Sequence, residues 1–341
     1  MKVGILTGGG DAPGLNGVIE SATKFLNKNG ADVIGIMDGF EGVFNSNTIP
    51  LDSLSVDGAY QTAGTILGTS NKRGIGDDAE EFVERFNQLG LDGLIAAGGD
   101  GTFKALGEIA DKVNILGIPK TIDNDLAGTD MTFGHYTACS LISRSIATLK
   151  HSANAHKRVI ILETMGRTAG WLALNGGRAG YSDAILIPER ELDLKTLISH
   201  CKNKLSKGKR GLVICASEGV KYNGKTSVKR IVEGAPEKER LGGISEILAQ
   251  ALEEELSIEC RNVILGHLQR SEPPEIFDKL FSMELGSKAA ELALSGVWNK
   301  GLAYKNCGIK AVELRDFSAP PRLIDQQNDT VNQAKHLGIY M

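Results

Sequence analysis

Two carboxylates stand two residues apart in Pro119–Asp125, directly after an apolar stretch. In an extended segment, side chains two residues apart face the same side, so Asp123 and Asp125 can share one site. Buried like charges repel each other unless a cation or a proton transfer uses them. One acid can therefore act as a general base toward a hydroxyl group while the other binds Mg²⁺. The alternative without chemistry is an Asx-rich turn.

Two glycine-rich segments each follow a predicted strand and precede a predicted helix. Gly8–Gly14 comes after the apolar run Val3–Leu6, and Gly98–Thr102 comes after Gly93–Ala97. Backbone N–H groups and the positive end of a helix dipole make such loops anion sites, and a carboxylate at Asp100 adds a Mg²⁺ ligand. Neither segment matches the dinucleotide-binding or Walker pattern. We expect phosphate binding at both loops, with tight turns as the alternative.

Further polar residues flank predicted strands in the second half of the chain. Arginine binds phosphate through paired N–H groups, and Glu or His can form hydrogen bonds with sugar hydroxyls. Each such residue, taken singly, is more often a surface charge or a satisfied core group. These residues are Arg158, Arg167, Glu218, Arg261, His267 and Arg270, and Met165 and Gly166 directly precede Arg167.

The elements that must position these side chains alternate along the chain. Short β-branched runs, glycine loops and helical patterns follow one another in both halves, which predicts parallel sheets covered by helices on both faces. In such sheets, ligands bind beyond the carboxyl ends of the strands. A crossing between two lobes is expected near Gly134–Cys139.

Composition excludes several classes of protein. The 341 residues carry a net charge of -4, so no general basic field favours nucleic acid or an anionic membrane. No apolar run reaches the length of a membrane span, and the five cysteines show no metal-binding spacing. We therefore expect a cytoplasmic protein with reduced cysteines and neither nucleic-acid nor membrane partners.

Taken together, six ordered segments resemble the 6-phosphofructokinase family, and the likeness runs from Val3 to about Val297. The GGDGT segment alone would also fit NAD kinases and lipid kinases, whereas the order and spacing of all six are specific. The six segments are Gly8–Gly14, Gly98–Thr102, Pro119–Asp125, Glu163–Arg167, Ser217–Gly219 and Gly266–Arg270.

The resemblance implies an α/β fold with two similar lobes, each a mainly parallel sheet sandwiched by helices, and an active site in the cleft between them. The donor-binding lobe would comprise residues 1–136 and about 268–315. The lobe that binds fructose 6-phosphate would comprise about 137–267 and 316–341. The implied reaction is Mg²⁺-dependent phosphoryl transfer from ATP to the C1 hydroxyl of fructose 6-phosphate, giving fructose 1,6-bisphosphate in glycolysis. The alternatives are pyrophosphate as the donor, or a non-catalytic sugar-phosphate sensor.

The resemblance also implies roles for individual residues. Asp123 would be the general base, Arg167 would lie near the transferring phosphoryl group, and Asp100 and Asp125 would bind Mg²⁺. The predicted donor-binding residues are Gly10, Phe40, Lys72, Arg73, Gly101, Thr102 and Lys120. The predicted sugar-binding residues are Thr121, Asp123, Arg158, Met165, Gly166, Arg167, Glu218, Arg261, His267 and Arg270.

Arg158 and Arg261 would reach the sugar phosphate of a neighbouring subunit, so a homodimer or homotetramer is implied. This chain also departs from the family at several positions. Lys120 is typical of the pyrophosphate-using branch, whereas Gly101 is the ATP-type residue. An Asp at position 101 would oppose ATP by bulk and charge, so Gly101 favours ATP as the donor. For Phe40, two roles remain possible: contact with the adenine ring of ATP, or packing in the hydrophobic core.

Three other departures concern regulation and loop structure. Asn71 stands where an arginine that bridges donor and acceptor is common, and Lys72 and Arg73 are the nearest cations that can replace it. Glu20 replaces an arginine of the effector-regulated bacterial enzymes, which predicts loss of their allosteric phosphate site. Ser271–Pro274 replaces the usual glycine pair and serine and predicts an altered turn.

Overall fold

The computed structural model describes residues 1–70, 74–231 and 239–341. The chain divides into two compact units, and it crosses between them three times. The first unit comprises Met1–Thr137 and Arg270–Pro320, and the second comprises Ala138–Gln269 and Pro321–Met341.

Seven strands of the described chain form the sheet of the first unit. Four neighbouring pairs are parallel, and the outermost pair at each edge is antiparallel. Numbered along the chain, the strands run from edge to edge as β15 (Gly308–Glu313), β14 (Lys300–Lys305), β5 (Ile115–Pro119), β4 (Gly93–Gly98), β1 (Lys2–Thr7), β2 (Asp32–Ile36) and β3 (Thr48–Leu51).

Helices cover both faces of this sheet. One face packs against α1 and α10 through residues such as Val18 and Leu285, and the other packs against α3 and α4 through Phe82 and Phe103. The central strands β1, β4 and β5 are almost wholly buried, as expected of a parallel sheet between helical layers, whereas the edge strands β3 and β15 are partly exposed. The helices are α1 (Leu15–Lys28), α2 (Glu41–Phe44), α3 (Ala79–Gln88), α4 (Asp100–Gly107) and α10 (Ile276–Leu294).

The described residues of the second unit form a parallel sheet of four strands and two short antiparallel hairpins. The sheet order is β13 (Cys260–Ile264), β6 (Val159–Thr164), β8 (Leu212–Ser217) and β7 (Ala184–Leu186). The hairpin strands are β9 (Lys221–Tyr222) with β10 (Lys225–Thr226), and β11 (Val228–Ile231) with β12 (Glu239–Leu241).

The remaining helices belong to the second unit or cross between the units. Within the described ranges, no helix has both the length and the apolar character needed to cross a membrane. The helices are α5 (His135–His156), α6 (Trp171–Ala179), α7 (Leu194–Ser206), α8 (Ile244–Leu256), α9 (Leu268–Ser271) and α11 (Asp329–His336).

The predicted α/β class, with mainly parallel sheets flanked by helices, is confirmed. The apolar runs locate most strands to within two residues, because buried parallel strands are continuously apolar. The residue pattern did not predict the long helix α5 or the edge hairpin β14–β15. The strands of that hairpin carry lysines and are stabilised by pairing with each other and with β5.

Candidate active site

The first glycine loop is joined to the end of β5 by a buried lysine. Lys120 follows β5, is only 3% exposed, and donates a hydrogen bond from Nζ to the carbonyl oxygen of Gly10. Gly9 has φ of 76°, a left-handed conformation that favours glycine. Its carbonyl oxygen accepts from Thr69 Oγ1 at 2.6 Å. The loop is therefore held on both sides of its turn.

Lys120 lies among the other charged residues of this site. Burial, and to a lesser extent the positive charge of Arg270, lower the pKa of the Lys120 ammonium to about 7, although Asp11, Asp123 and Asp100 oppose the shift. These four charges interact with one amine, so the first unit brings three predicted site residues, Asp100, Asp123 and Arg270, close to Lys120. The structure thus concentrates cations and carboxylates at one end of the sheet.

Arg270, which is distant in sequence, also binds the backbone of this loop. Its Nη1 donates to the Asp11 carbonyl oxygen at 2.8 Å, across 259 positions of chain. A Cβ at Gly10 would lie 3.0 Å from that Nη1 and 3.2 Å from Cζ. Glycine at position 10 therefore allows the guanidinium to approach the backbone closely.

The N-terminus of α4 lies beside this loop. Thr102 is buried, and a Cβ at Gly98 or Gly8 would come within 2.1 or 2.7 Å of its Oγ1. Gly101 differs, because a Cβ there would meet no described atom within 4 Å. The Gly101 N–H donates to Asp100 Oδ1 at 2.7 Å. Packing of the protein thus requires the flanking glycines but leaves the space at position 101 open.

The segment with the paired carboxylates is a turn held by side chains. Asn124 has φ of 54°, and its Oδ1 accepts from the Thr132 N–H at 3.0 Å. The buried His135 contacts the Ile122 carbonyl oxygen through Nδ1 at 2.6 Å, and the Asp123 N–H donates to Thr121 Oγ1 at 3.1 Å.

The extended backbone predicted for this segment is wrong at Asn124, which has a left-handed φ. Burial nevertheless alternates along the segment. Ile122, Asn124 and Leu126 are buried, while Asp123 and Asp125 are half-buried. Both acids thus remain partly accessible while their neighbours anchor the turn.

In the second unit, two predicted sugar-binding loops pack against each other at the carboxyl ends of β6 and β8. Ser217 Oγ donates to the Gly166 carbonyl oxygen at 2.5 Å, and the Gly219 N–H donates to the same oxygen at 3.1 Å. Gly166 has φ of 124°, and a Cβ there would lie 2.5 Å from Ser217 Oγ. The Met165 N–H donates to Gln269 Oε1 at 3.2 Å. The segment around Met165 and Gly166 is therefore fixed to that around Glu218.

Arg167 is held by a segment that Glu163 anchors. Arg167 Nη1 donates to the Glu239 carbonyl oxygen of β12 at 2.8 Å. Glu163 is 2% exposed and accepts from the N–H groups of Gly243 and Ser245 and from Ser245 Oγ at 2.7 to 3.2 Å. Its carboxylate therefore caps the start of α8, just beyond β12. The motif alone did not assign Glu163 a role, since its partners lie about 80 residues away in sequence.

Arg158 and Arg261 lie at the other end of the second sheet. Arg158 precedes β6 and Arg261 is the second residue of β13, so both are at the amino edge of these parallel strands. Met165–Arg167, Glu218 and His267 follow the carboxyl ends of β6, β8 and β13. Six residues of β6 separate the two edges by about 20 Å. Within this unit the two arginines are therefore remote from the other predicted sugar-binding residues.

Three further sequence predictions concern Phe40, the pair Lys72 and Arg73, and Glu20. Phe40 is 5% exposed and its ring meets Phe82 edge-on at 5.9 Å, so the structure places it in the core and offers no open ring face for adenine. Lys72 and Arg73 lie outside the described residues. Glu20 stands where effector-regulated relatives would carry an arginine. Its carboxylate joins two groups of this chain, because it accepts hydrogen bonds from Lys24 Nζ at 2.6 Å and from the Tyr60 N–H at 2.9 Å.

The carboxylates of the first unit fit the way proteins hold Mg²⁺ with phosphate. Among the described residues, no group of three or more His, Cys, Asp or Glu side chains is arranged to hold a metal ion. Mg²⁺ commonly uses only one or two carboxylates and takes its other ligands from phosphates and water. Asp100 is exposed and Asp125 is half-buried, so both can offer an oxygen.

Comparison with known proteins agrees with these motifs. The phosphofructokinase family model matches residues 2–293. An ATP-dependent 6-phosphofructokinase 2 of Clostridium perfringens is 38% identical over 99% of this chain and 97% of its own. A pyrophosphate–fructose 6-phosphate 1-phosphotransferase of Dictyoglomus thermophilum is 38% identical over 95% of each chain.

A solved structure shares the fold. The pyrophosphate-dependent phosphofructokinase of Marinobacter aquaeolei superimposes with a TM-score of 0.84 at 20% identity, covering 99% of this chain and 91% of that one. The family match spans both glycine loops, the acidic turn and the segments predicted to bind sugar. The chain belongs to the phosphofructokinase family.

Proposed function

We propose that this chain is a 6-phosphofructokinase that transfers a phosphoryl group from ATP to the C1 hydroxyl of fructose 6-phosphate. The observation that carries the proposal is its 38% identity, over nearly the full length of both chains, to an ATP-dependent 6-phosphofructokinase. The presence of Asp123, Asp100 and Asp125 argues against a non-catalytic sugar-phosphate sensor, which would not need the base or the metal acids.

Catalysis is assigned to charged groups of the first unit. Asp123 acts as the general base that takes the proton from the C1 hydroxyl. Lys120, Thr102 and the N–H groups around Gly10 bind the donor phosphates. Phosphoryl transfer depends mainly on positioning and on neutralising charge, and this set of residues supplies both together with a base.

Mg²⁺ is assigned to Asp100 and Asp125 together with the donor phosphates. When bound, it would neutralise negative charge on those phosphates. The exposed and half-buried positions of the two acids support the assignment, and the five free cysteines support a reducing, cytoplasmic setting.

The second unit is assigned to fructose 6-phosphate. Met165, Gly166, Glu218 and His267 contact the sugar, and Arg167 approaches the transferring group. The packing of the Met165 and Glu218 segments supports this role, because it fixes both relative to the sheet. Thr121 and Arg270, which lie in the first unit, complete the proposed acceptor contacts.

Arg158 and Arg261 are assigned to the sugar 6-phosphate of a second copy of the chain. Their distance of about 20 Å from the carboxyl edge of their own sheet supports this assignment. At least a dimer would then be needed for full activity, and a homotetramer is the form we propose. A fully active monomer, detected by sedimentation at assay concentrations, would contradict it.

ATP is favoured over pyrophosphate because the space at Gly101 is open. A steric clash or like charge at this position would discriminate between donors more strongly than the added attraction of Lys120 does. Lys120 and the pyrophosphate-using relative make pyrophosphate the second candidate. The test is to supply purified protein with fructose 6-phosphate, Mg²⁺ and either donor, and to measure fructose 1,6-bisphosphate. Formation with ATP at a higher kcat/KM supports the proposal. Turnover with pyrophosphate alone would reverse the choice of donor.

A further inference from the structure

Glu259 stands between the two arginines at the amino edge of the second sheet. Its Oε2 lies 3.4 Å from Nη2 of Arg158, and its Oε1 forms an ion pair with Nη2 of Arg261. Each carboxylate oxygen therefore serves one guanidinium. The backbone supports this arrangement, because the Val159 N–H donates to the Glu259 carbonyl oxygen at 3.1 Å.

The two guanidiniums keep most of their donors for another anion. Arg261 uses Nη1 for the Cys260 carbonyl oxygen at 3.1 Å and Nη2 for Glu259. The Nε of Arg158 is buried and has no hydrogen-bond partner among the described residues, so only the Nη atoms of this side chain can offer donors to an anion from solvent. Each guanidinium carries five N–H donors, so both retain unused ones beside the carboxylate. The trio has a net charge of +1 and remains attractive to a phosphate dianion.

Without Glu259, this pair of arginines would be poorly ordered. The Arg261 side chain is 54% exposed, and its positive charge lies close to that of Arg158, which is 19% exposed. Repulsion and rotamer freedom would both separate them, and ordering a long side chain on binding costs affinity. An ion pair this exposed contributes little to folding stability. Its main effect should therefore be on the order of the arginines.

We propose that Glu259 is a positioning residue that holds Arg158 and Arg261 as a preformed pair for the phosphate group of a sugar phosphate. The inference rests on the proposed function, which assigns this pair to the 6-phosphate. A carboxylate between two arginines can also compete with phosphate, so the two effects have opposite signs. Positioning dominates here because each carboxylate oxygen occupies a single Nη2 on its guanidinium and leaves other donors unused.

The direction of the change in fructose 6-phosphate affinity tests the proposal. Glu259→Gln keeps the size of the side chain and removes the charge that holds both arginines. We expect the KM for fructose 6-phosphate, and its dissociation constant by calorimetry, to rise about three- to tenfold, with kcat and the donor KM unchanged. Glu259→Asp should restore part of the loss. As a control, Glu255→Gln removes the same charge from an exposed position in the same unit and should leave the affinity for fructose 6-phosphate unchanged.

A double-mutant cycle with Arg261→Ala shows whether Glu259 acts through the arginines. In that background, Glu259→Gln should change fructose 6-phosphate affinity much less than in the wild type. Unchanged affinity in the single variant, or a gain as expected for a competitor, would overturn the inference while the wild type still phosphorylates fructose 6-phosphate. A wild type unable to phosphorylate this sugar would overturn the proposed function and the inference with it.

Discussion

The buried Lys120 donates a hydrogen bond from Nζ to the carbonyl oxygen of Gly10, joining the end of β5 to the first glycine loop. This bond directs a cation toward the loop that we assign to donor phosphates. Burial lowers the pKa of Lys120 to about 7, so its charge near neutral pH depends on its surroundings. A phosphate bound beside it would favour the protonated form.

Lys120→Met should stabilise the protein most strongly at low pH. The folded-state pKa of about 7 lies below the value of 10.5 for an ordinary lysine, so in the window between them the unfolded chain holds a proton that the folded protein has released. Stability therefore rises with pH through this window, and the cost of the buried lysine is complete below about pH 7. Urea denaturation should show the gain shrinking by on the order of 2 kcal/mol between about pH 6 and about pH 9. The exposed control Lys104→Met should change the free energy of unfolding by the same amount at every pH. The same pH-independent change in Lys120→Met would contradict the lowered pKa of Lys120.

Gly101→Asp should separate the two candidate donors. A side chain at position 101 meets no described atom within 4 Å, so the substitution is compatible with folding and places bulk and negative charge where ATP is proposed to bind. We expect kcat/KM for ATP to fall about 10- to 100-fold, with less effect on pyrophosphate. Gly107→Asp, at the other end of α4 and equally open, is the control. Equal losses in the two variants would argue against the donor assignment.

Asp123→Asn keeps the shape of the proposed base and removes its capacity to accept a proton. Turnover should fall about 10²- to 10⁴-fold while fructose 6-phosphate binds with similar affinity. Steady-state rates and equilibrium binding measure the two effects separately. The exposed Asp111→Asn should keep wild-type turnover. Near-normal turnover of Asp123→Asn would exclude this residue as the base.

Asn124 should matter to the acidic turn through both its backbone and its side chain. Asn124→Ala removes the side-chain hydrogen bonds to Thr132 and leaves, at φ of 54°, a residue that tolerates the left-handed conformation less well than asparagine does. Asn124→Gly removes the same hydrogen bonds but tolerates this φ. We expect the free energy of unfolding to fall in the order wild type, Gly, Ala, by about 1 kcal/mol per step. An alanine variant as stable as the glycine variant would show that the backbone strain is negligible.

Much of the architecture follows from the sequence because its causes are local. Continuous apolar runs such as Val3–Leu6 indicate buried parallel strands, and glycine loops after them indicate phosphate-binding turns. The ordered motifs also indicated the family, which the match over residues 2–293 confirms. Residue types and spacing thus determined the α/β class and the candidate site residues.

Only the tertiary structure decided how those residues are held. The Arg270 contact with Asp11 spans 259 positions, and the pairing of Glu259 with Arg158 depends on the register of β6 and β13. The lowered pKa of Lys120 comes from burial and from the charge of the distant Arg270, and no local sequence pattern reports either. Phe40 joins the core because Phe82 packs against it from another helix. Contacts between remote segments depend on packing and strand register, so they emerge only when the chain is folded.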